Sequence, residues 1–430
     1  MKLMQKLGRR QHGVLLENTV MLYILQFSTI FLSFITQGYQ SRVLGMELLG
    51  TLGAAQYTTN FFQIFIDFGF ILSATAEVSR MREDRQALSM ILTSVVTAKA
   101  VFVLISFSVL FVFIAPGLQD GKQLATYFLF LLGTALNSFL PDFMYRGLEQ
   151  MTTITVRAVS IRFFATVMIF LFIHAPGDYY MVPLFTALGN IGAVVFVYWH
   201  LFTKVGIKFC RISWRDVWRE IRESFQFFIS KAVTAVYSNT NGIILNATLG
   251  GVSAGLYTNA DKIISAAKNA MGPIADSLYP HMVKHKNYSL IKKALFLVYP
   301  VILLGCAVVF IFAEPLLVLW LGKEGSQVVA PLRMLIPVAV FTYPNYLLGY
   351  PTLGAMGLAH YANITTISGT VVYLLGVGLL YITGNASLLT LCAVTSCSEL
   401  SILLLRLVIL YKNRGLMRGD QPQGEKKEGQ

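Results

Sequence analysis

The chain has 430 residues, of which 55% are hydrophobic and only 13% are charged, and its mean hydropathy is +0.63. These values exclude an ordinary soluble domain of this length and are typical of a protein that crosses a membrane many times. A net charge of +13 would also fit a nucleic-acid-binding protein. The basic residues are, however, distributed by side of the membrane, so we expect no nucleic-acid partner.

Apolar stretches long enough to cross a bilayer recur along the whole chain. They predict an all-α integral membrane protein with about twelve transmembrane helices. In chain order the predicted spans are 14–40, 47–75, 89–115, 125–145, 152–174, 180–203, 222–247, 252–280, 294–320, 329–357, 361–382 and 386–411. Only Arg42, Lys122 and Lys323 lie in the loops of one side, whereas the loops and termini of the other side are rich in lysine and arginine. The positive-inside rule then makes both termini cytoplasmic and the number of spans even.

The first two predicted spans carry polar residues along one face. In the second span, Gln56, Asn60, Gln63 and Asp67 follow one another at helical spacing, which stacks them on one side of a helix. The first span shows the same spacing at Gln26, Thr29, Ser33, Gln37 and Gln40. Because an unsatisfied polar group in hydrocarbon is costly, we expect these faces to contact protein or water rather than lipid.

A charged stretch from Lys204 to Glu223 separates the sixth span from the seventh. It divides the chain into a predicted cytoplasmic N-terminus (1–13), an N-terminal lobe of six helices (14–203), a cytoplasmic linker (204–221), a C-terminal lobe of six helices (222–413) and a disordered cytoplasmic tail (414–430). The polar pattern returns beyond the linker, at Lys231, Thr234, Ser238 and Asn241 in the seventh span and at Asp261, Ser265 and Lys268 in the eighth. Two halves that turn such faces toward a shared middle describe a transporter with a water-filled central cavity.

The two halves also share their glycine and proline positions. Leu44-Gly45 followed by Gly50 returns as Leu249-Gly250 followed by Gly255, and Pro141 with Gly147-Leu148 returns as Pro351 with Gly357-Leu358. Matches in the same order at a nearly constant offset predict an internal duplication. Each half has an even number of spans, so the copies are related by an axis along the membrane normal. The prolines are expected to kink the fourth and tenth helices.

Three short motifs resemble those of a known family. They are the run from Gly38 to Gly50 (GYQSRVLGMELLG), Arg146-Gly-Leu-Glu149 after the fourth span, and Ala254 to Lys262 (AGLYTNADK) after the seventh. In this order they resemble the bacterial polysaccharide (O-antigen or repeat-unit) flippases of the multidrug/oligosaccharidyl-lipid/polysaccharide exporter superfamily. The resemblance covers roughly residues 14 to 412.

The resemblance implies two pseudo-symmetric six-helix lobes in a V around a central cavity, lined by the first, second, seventh and eighth helices. It also implies alternating access that moves a polyprenyl-diphosphate-linked oligosaccharide from the cytoplasmic to the outer leaflet of the bacterial cytoplasmic (inner) membrane. The polar faces place the same four helices at the cavity. The predicted substrate-cavity residues are Gln26, Ser33, Gln37, Gln56, Asn60, Gln63, Lys231, Ser238, Asn241, Ser265 and Lys268.

Charged residues within the spans need a partner or water. Lys231 and Lys268 lie on the polar faces of the second half, where they can donate hydrogen bonds to the diphosphate of a lipid-linked sugar. Asp67, Asp142 and Asp261 are the predicted ion-coupling residues, because a partly desolvated carboxylate can take up a proton. The superfamily suggests coupling to H⁺ or Na⁺. The sequence does not distinguish between these ions, and passive, uncoupled flipping is an alternative.

Three alternatives remain beside the flippase. A drug exporter of the same superfamily has the same two-lobed plan, but the surplus lysines would repel cationic cargo. A permease of the major facilitator class lacks support, since its loop signature is absent after the second span. An outer-face polymerase or ligase would need a sizeable outer loop, and every predicted one is short. No metal-ligand spacing, nucleotide-binding loop or nucleophile constellation is found, so we expect no catalytic residue, metal or cofactor. The expected partners are the lipid-linked substrate, membrane lipids and other polysaccharide-assembly proteins.

Overall fold

The computed structural model describes residues 2–118 and 120–415, and the helices account for nearly all of them. No strand occurs within these two ranges. The helices are α1 (Lys2–Asp67), α2 (Phe70–Arg80), α3 (Arg85–Val109), α4 (Gly121–Phe139), α5 (Asp142–Gly147), α6 (Met151–Phe172), α7 (Met181–His200), α8 (Trp214–His285), α9 (Tyr288–Ile311), α10 (Ala313–Leu321), α11 (Val329–Leu347), α12 (Ala359–Ile382) and α13 (Leu388–Lys412).

The helices match the predicted spans, and the prediction of an all-α membrane fold with about twelve spans is confirmed. Nine helical stretches of the described residues are long and apolar enough to cross a membrane. The first of them, Tyr23–Arg80, contains most of the first predicted span and all of the second, which meet where α1 bends at Gly45. The more polar α8 contains the seventh and eighth predicted spans, which meet at Gly250. Helix α8 begins at Trp214, within the predicted linker 204–221, and residues 416–430 of the predicted tail lie outside the described residues.

Two glycines of the predicted duplication have the same backbone conformation. Gly45 has φ 77° and ψ 169°, and Gly250, which lies at the equivalent place in the second half, has φ 83° and ψ 170°. Glycine alone adopts this conformation readily, because it has no Cβ. The second predicted pair of breaks is also present: Pro141 lies between α4 and α5, and Pro351 lies in a widened turn, Leu348–Gly354, that follows α11.

Replacing Gly45 or Gly250 with alanine should destabilise the protein by about 1–3 kcal/mol through backbone strain. A Cβ at either position would meet no atom within 4 Å, so a steric clash would contribute nothing. Thermal unfolding of the purified protein in detergent measures the loss. Gly378→Ala in α12 is the control, since its Cβ would also meet open space but its φ is not positive. Melting temperatures unchanged by both substitutions would contradict the conformational argument.

The chain forms two compact units, one ending at Thr258 and the other beginning at Asn259. In the first unit, α1 packs on α4 and α6, α4 and α6 pack on α7, and α2 packs on α5. Its core includes Phe70, Leu92, Leu131, Tyr145 and Val197.

The second unit comprises the end of α8 and helices α9 to α13. Helix α13 packs on both α11 and α12, and α9 packs on α11. Tyr343 and Leu347 of α11 are fully buried against Met271 and Met282 of α8. Outside this contact α9 exposes a wide apolar surface, as expected for a helix that faces lipid.

Candidate functional site: charged and polar residues within the spans

Asp67 and Lys99 form an ion pair in the first unit. Asp67 is the last residue of α1, and Lys99 lies in the middle of α3. The Lys99 Nζ is 3.1 Å from Asp67 Oδ1 and donates a second hydrogen bond, 2.5 Å long, to the carbonyl oxygen of Ser138 at the end of α4. Lys99 is buried, whereas Asp67 is partly exposed. Asp67, predicted as an ion-coupling residue, therefore has a fixed cationic partner.

Two further cations lie near this pair. Lys231 of α8 is within electrostatic range of Asp67, Lys99 and Arg146 of α5. Neither Lys231 nor Arg146 makes a side-chain hydrogen bond or an ion pair among residues 2–118 and 120–415, and the Nε of Arg146 is buried without an acceptor. Lys99 and Arg146 thus both lie near Lys231, and Asp67 is the one carboxylate that acts on it, which leaves the region with a surplus of positive charge. Arg146 was not among the predicted cavity residues; in the sequence it appears only as the first residue of the motif Arg146-Gly-Leu-Glu149.

Asp142, the second predicted coupling residue, is held by Arg157. The Nη1 and Nη2 atoms of Arg157 donate to the two carboxylate oxygens of Asp142, at 2.7 and 3.0 Å. Arg157 is buried, and Asp142 follows Pro141 at the start of α5. A two-pronged contact of this kind fixes both the charge and the orientation of the carboxylate.

Uncharged polar residues of the predicted cavity have mixed surroundings. The Nδ2 of Asn60 donates to Oδ1 of Asn239 at 3.0 Å, and the Nδ2 of Asn241 donates to the Tyr257 hydroxyl at 3.2 Å. The exposed members of the set are Gln56 and Ser238, the partly buried ones are Gln26, Ser33, Asn60, Gln63 and Ser265, and the buried ones are Gln37 and Asn241. The structure joins Asn60 to α8 in this way, whereas a single stripe on one helix does not reveal its partner.

Lys268, the second predicted cavity lysine, is paired in the second unit. Its Nζ lies 3.3 Å from Oε1 of Glu399 on α13, and the Nδ2 of Asn345 donates to the other carboxylate oxygen at 2.9 Å. The hydroxyl of Ser265 is 3.5 Å from either carboxylate oxygen of Asp261, the third predicted coupling residue. Lys268 and Asp261 are two turns apart on α8, and Glu399 and Asn345 were not predicted as members of the site.

Arg406 lies fully inside the second unit. Its guanidinium donates to the hydroxyls of Thr365 and Thr366, at 3.0 and 3.1 Å, and to the carbonyl oxygens of Asn345 and Ala362. These acceptors belong to α11 and α12, so Arg406 links α13 to both helices. Arg406 thus connects these helices through hydrogen bonds to uncharged acceptors.

A groove of about 610 Å³ runs between α6 and α7 in the first unit. Apolar residues such as Val156, Phe164 and Phe196 form most of its walls, and Arg157 and His200 line it toward one end. None of the predicted cavity residues lines this groove. Among residues 2–118 and 120–415, no group of three or more histidine, cysteine, aspartate or glutamate side chains is placed to hold a metal ion.

Comparison with known proteins agrees with the motifs found in the sequence. A family model described as "Polysaccharide biosynthesis protein" matches residues 15–286. A protein of Escherichia coli (strain K12) with the name "Putative O-antigen transporter" is 25% identical over 286 residues, which are 65% of this chain and 68% of that protein. A protein of Shigella dysenteriae with the same name is 22% identical over 329 residues, or 72% and 78% of the two chains.

Solved structures show the same fold at low sequence identity. An inward-facing multidrug resistance transporter of the MATE family, from the MOP superfamily, aligns with a TM-score of 0.69 at 15% identity and covers 94% of this chain and 98% of its own. The lipid II flippase MurJ in an inward closed conformation aligns with a TM-score of 0.67 at 10% identity, over 92% and 87% of the two chains. Because the family model matches more than half of its length, the chain belongs to the polysaccharide biosynthesis protein family.

Proposed function

We propose that the protein is a transporter that flips polyprenyl-diphosphate-linked oligosaccharide repeat units from the cytoplasmic to the outer leaflet by alternating access. Membership of the polysaccharide biosynthesis family, two relatives named as O-antigen transporters and the fold shared with a lipid II flippase support this function. The protein crosses the membrane many times, and we place it in the bacterial cytoplasmic membrane with both termini in the cytoplasm.

The surplus of positive charge around Asp67 is the observation that carries the proposal. Lys231 and Arg146 form no direct ion pair within the described residues, and a charge without a direct partner is costly within or beside the spans. A diphosphate offers several anionic oxygens, which accept charge-assisted hydrogen bonds from lysine and arginine. The two side chains would therefore hold the head group of the substrate, while the neighbouring polar residues contact the sugars.

The same charges argue against a drug exporter for organic cations. The MATE structures share the fold, and fold alone does not decide the cargo. Lys231 and Arg146 would repel a cation at the point where the polar faces meet. We also propose that the protein is not an enzyme, since the connections on the predicted outer side are short, for example residues 173–180 between α6 and α7 and residues 383–387 between α12 and α13.

The remaining parts of the proposal follow the sequence. Residues 14–203 and 222–413 would form two lobes around the substrate cavity, joined by the linker 204–221. Asp67, Asp142 and Asp261 remain proposed coupling residues for H⁺ or Na⁺, although Asp67 and Asp142 each have a cationic partner. Other polysaccharide-assembly proteins are the proposed functional partners.

Lys231→Ala and Arg146→Ala should each reduce glycan export in the native host by about ten- to a hundredfold, the effect of losing one charge-assisted hydrogen bond. Surface polysaccharide and the accumulated lipid-linked intermediate are measured in cells that lack the chromosomal copy. Lys231→Arg should retain most export because it keeps the positive charge.

Lys122→Ala is the matched control, because Lys122 is an exposed lysine at the start of α4 whose Nζ donates only to the carbonyl oxygen of Gly177. It should leave export unchanged. Normal surface polysaccharide in both the Lys231 and Arg146 variants, at normal abundance in the membrane, would overturn the proposed role of these cations.

A further inference from the structure

Helices α2 and α8 form a seam at the end of α2 that is predicted to lie on the cytoplasmic side. Gly69, which precedes α2, lies against Phe228 with no room for a side chain. One turn further along α2, the hydroxyl oxygens of Ser73 and Ser224 are 2.6 Å apart. The next turn of the seam brings together two glutamates, Glu77 of α2 and Glu220 of α8.

The two glutamates share a single cation. The Nη2 of Arg219 is 3.2 Å from Oε1 of Glu220 and 3.6 Å from Oε1 of Glu77. Glu220 is fully buried, whereas nearly half of the Arg219 side chain is exposed, so the arginine only partly neutralises the pair. The carboxyl groups lie within hydrogen-bonding reach of each other, yet Oε2 of each is buried without a donor among the described residues. A proton shared between them would supply that missing donor.

Both glutamates lie beyond the predicted spans 47–75 and 222–247, on the predicted cytoplasmic side. Helix α8 begins at Trp214 and is rich in charged residues as far as Glu223, so Glu220 precedes the predicted seventh span. Burial, and then the negative charge of Glu77, raises the pKa of Glu220 to about 8. The other charged groups that act here are Arg219, on the adjacent position of α8, and Asp216, which acts on Arg219.

We propose that Glu77 and Glu220 bind one proton between them and that this proton holds the seam between α2 and α8 closed. When the proton is lost, two carboxylates face each other with one exposed arginine between them, and their repulsion favours separation. A role of this pair in transport coupling would rest on the proposed function, whereas proton binding that closes the seam does not depend on it. Asp67 and Asp142 each form an ion pair with a buried cation, whereas in the glutamate pair a shared proton would provide the missing hydrogen-bond donor.

The direction of the pH effect follows from the pKa. In the closed seam the pKa of Glu220 is raised from its usual value of 4.5 to about 8. The closed seam therefore binds more protons than a separated one between these two values, and it becomes less favoured as pH rises through that interval. Closure is fully supported below the ordinary pKa and is lost as pH passes about 8.

The test measures the width of the seam with spin-label amino acids incorporated at Met81 and Trp218, two exposed positions beside the glutamates. Genetic incorporation leaves the four native cysteines in place. Distances are recorded by pulsed electron paramagnetic resonance on the full-length protein in lipid nanodiscs, between pH 6 and pH 9. We expect the short-distance population to fall with a midpoint near pH 8.

Glu220→Gln and Glu77→Gln should keep the short distance and remove most of its pH dependence, because the amide donates the hydrogen bond that the proton supplies in the native pair. Glu149→Gln is the matched control: Glu149 pairs with Arg82 at the same end of α2, but both side chains are exposed. This control should keep the native pH profile.

A pH-independent distance in the native protein, or an unchanged pH profile in Glu220→Gln, would overturn the inference. The measurement uses no substrate, so its failure is distinguishable from failure of the export experiment on Lys231 and Arg146. Conversely, a pH-dependent seam in a protein that exports no glycan would refute the proposed function alone.

Discussion

Replacing Arg157 with leucine should destabilise the protein by about 3 kcal/mol or more, because it leaves the Asp142 carboxylate without its cation in a largely buried position. The guanidinium donates two hydrogen bonds to Asp142, and only 5% of the Arg157 side chain is exposed. Such a loss is a large fraction of the stability of a typical domain. Thermal unfolding in detergent, together with the amount of monodisperse protein recovered from membranes, measures it.

A second substitution distinguishes the cost of the unpaired Asp142 charge from the cost of the lost Arg157 packing. Asp142→Asn combined with Arg157→Leu removes the orphaned charge, so the double variant should regain most of the stability that the single variant loses. Arg82→Leu is the control: the Arg82–Glu149 pair has the same N–O distance of 2.7 Å but exposed side chains, and its loss should cost less than about 1 kcal/mol.

The stability of Asp142→Asn alone bears on the role of Asp142. If Asp142 is an ion-coupling residue, Asp142→Asn would leave a stable protein that has lost coupling. If its main role is to anchor α5 to α6, Asp142→Asn should reduce stability by leaving Arg157 unpaired. Equal stability of Arg157→Leu and the native protein would contradict the structural role.

The helices were predictable because hydropathy and spacing are local properties of the sequence. The breaks at Gly45 and Gly250 were predictable for a related reason: a duplication preserves backbone requirements, and a conformation near φ 80° keeps glycine in both copies. Helix α8 starts at Trp214, inside the predicted linker 204–221, because a helix can extend beyond the point where hydropathy falls.

The partners of the charged residues were not predictable, because they depend on which helices pack together. Lys268 and Glu399 are 131 residues apart, and Asp67 and Lys99 are on different helices. The stripes predict polar faces for Lys268 and Asp67, yet they contain no information about a counter-ion on another helix.

The glutamate pair of the seam was missed for a different reason. Glu220 lies in a stretch with many charges, where a solvated side chain is the usual expectation, and Glu77 follows the end of an apolar span. Only the antiparallel approach of α2 and α8 buries them against each other. Sequence periodicity within one helix does not report such a contact.

Leucine at Gly50 or Gly255 should be the most damaging of the glycine substitutions. These glycines are equivalent in the duplication, and the structure brings them into contact: a Cβ on Gly50 would lie 2.8 Å from the backbone nitrogen of Gly255, and a Cβ on Gly255 would lie 3.2 Å from that of Gly50. Each Cβ would also meet a backbone carbonyl oxygen, that of Gly251 or Met46 respectively. The two segments therefore pack backbone to backbone, with local two-fold symmetry.

Helix pairs in membranes depend on such close approach, because lipid provides no hydrophobic force that favours their association. Backbone atoms cannot move aside as a flexible side chain can, so the helices must separate and lose the contacts around Gly53 and Thr258 as well. Overpacking of this kind typically costs about 1–3 kcal/mol for small insertions. Alanine should produce this smaller loss, and leucine should prevent recovery of folded protein.

The local symmetry predicts that equivalent substitutions on the two segments have equal effects on stability. Gly50→Ala and Gly255→Ala insert a methyl group at equivalent points of one interface, so their effects on the melting temperature should be similar. Their combination should cost less than the sum, since the first methyl already separates the helices. Gly305→Leu in α9, where an added Cβ meets no atom within 4 Å, should leave stability unchanged. Clearly unequal effects of the two alanines would show that the contact is not symmetric, and neutral effects of both would show that the helices do not approach this closely.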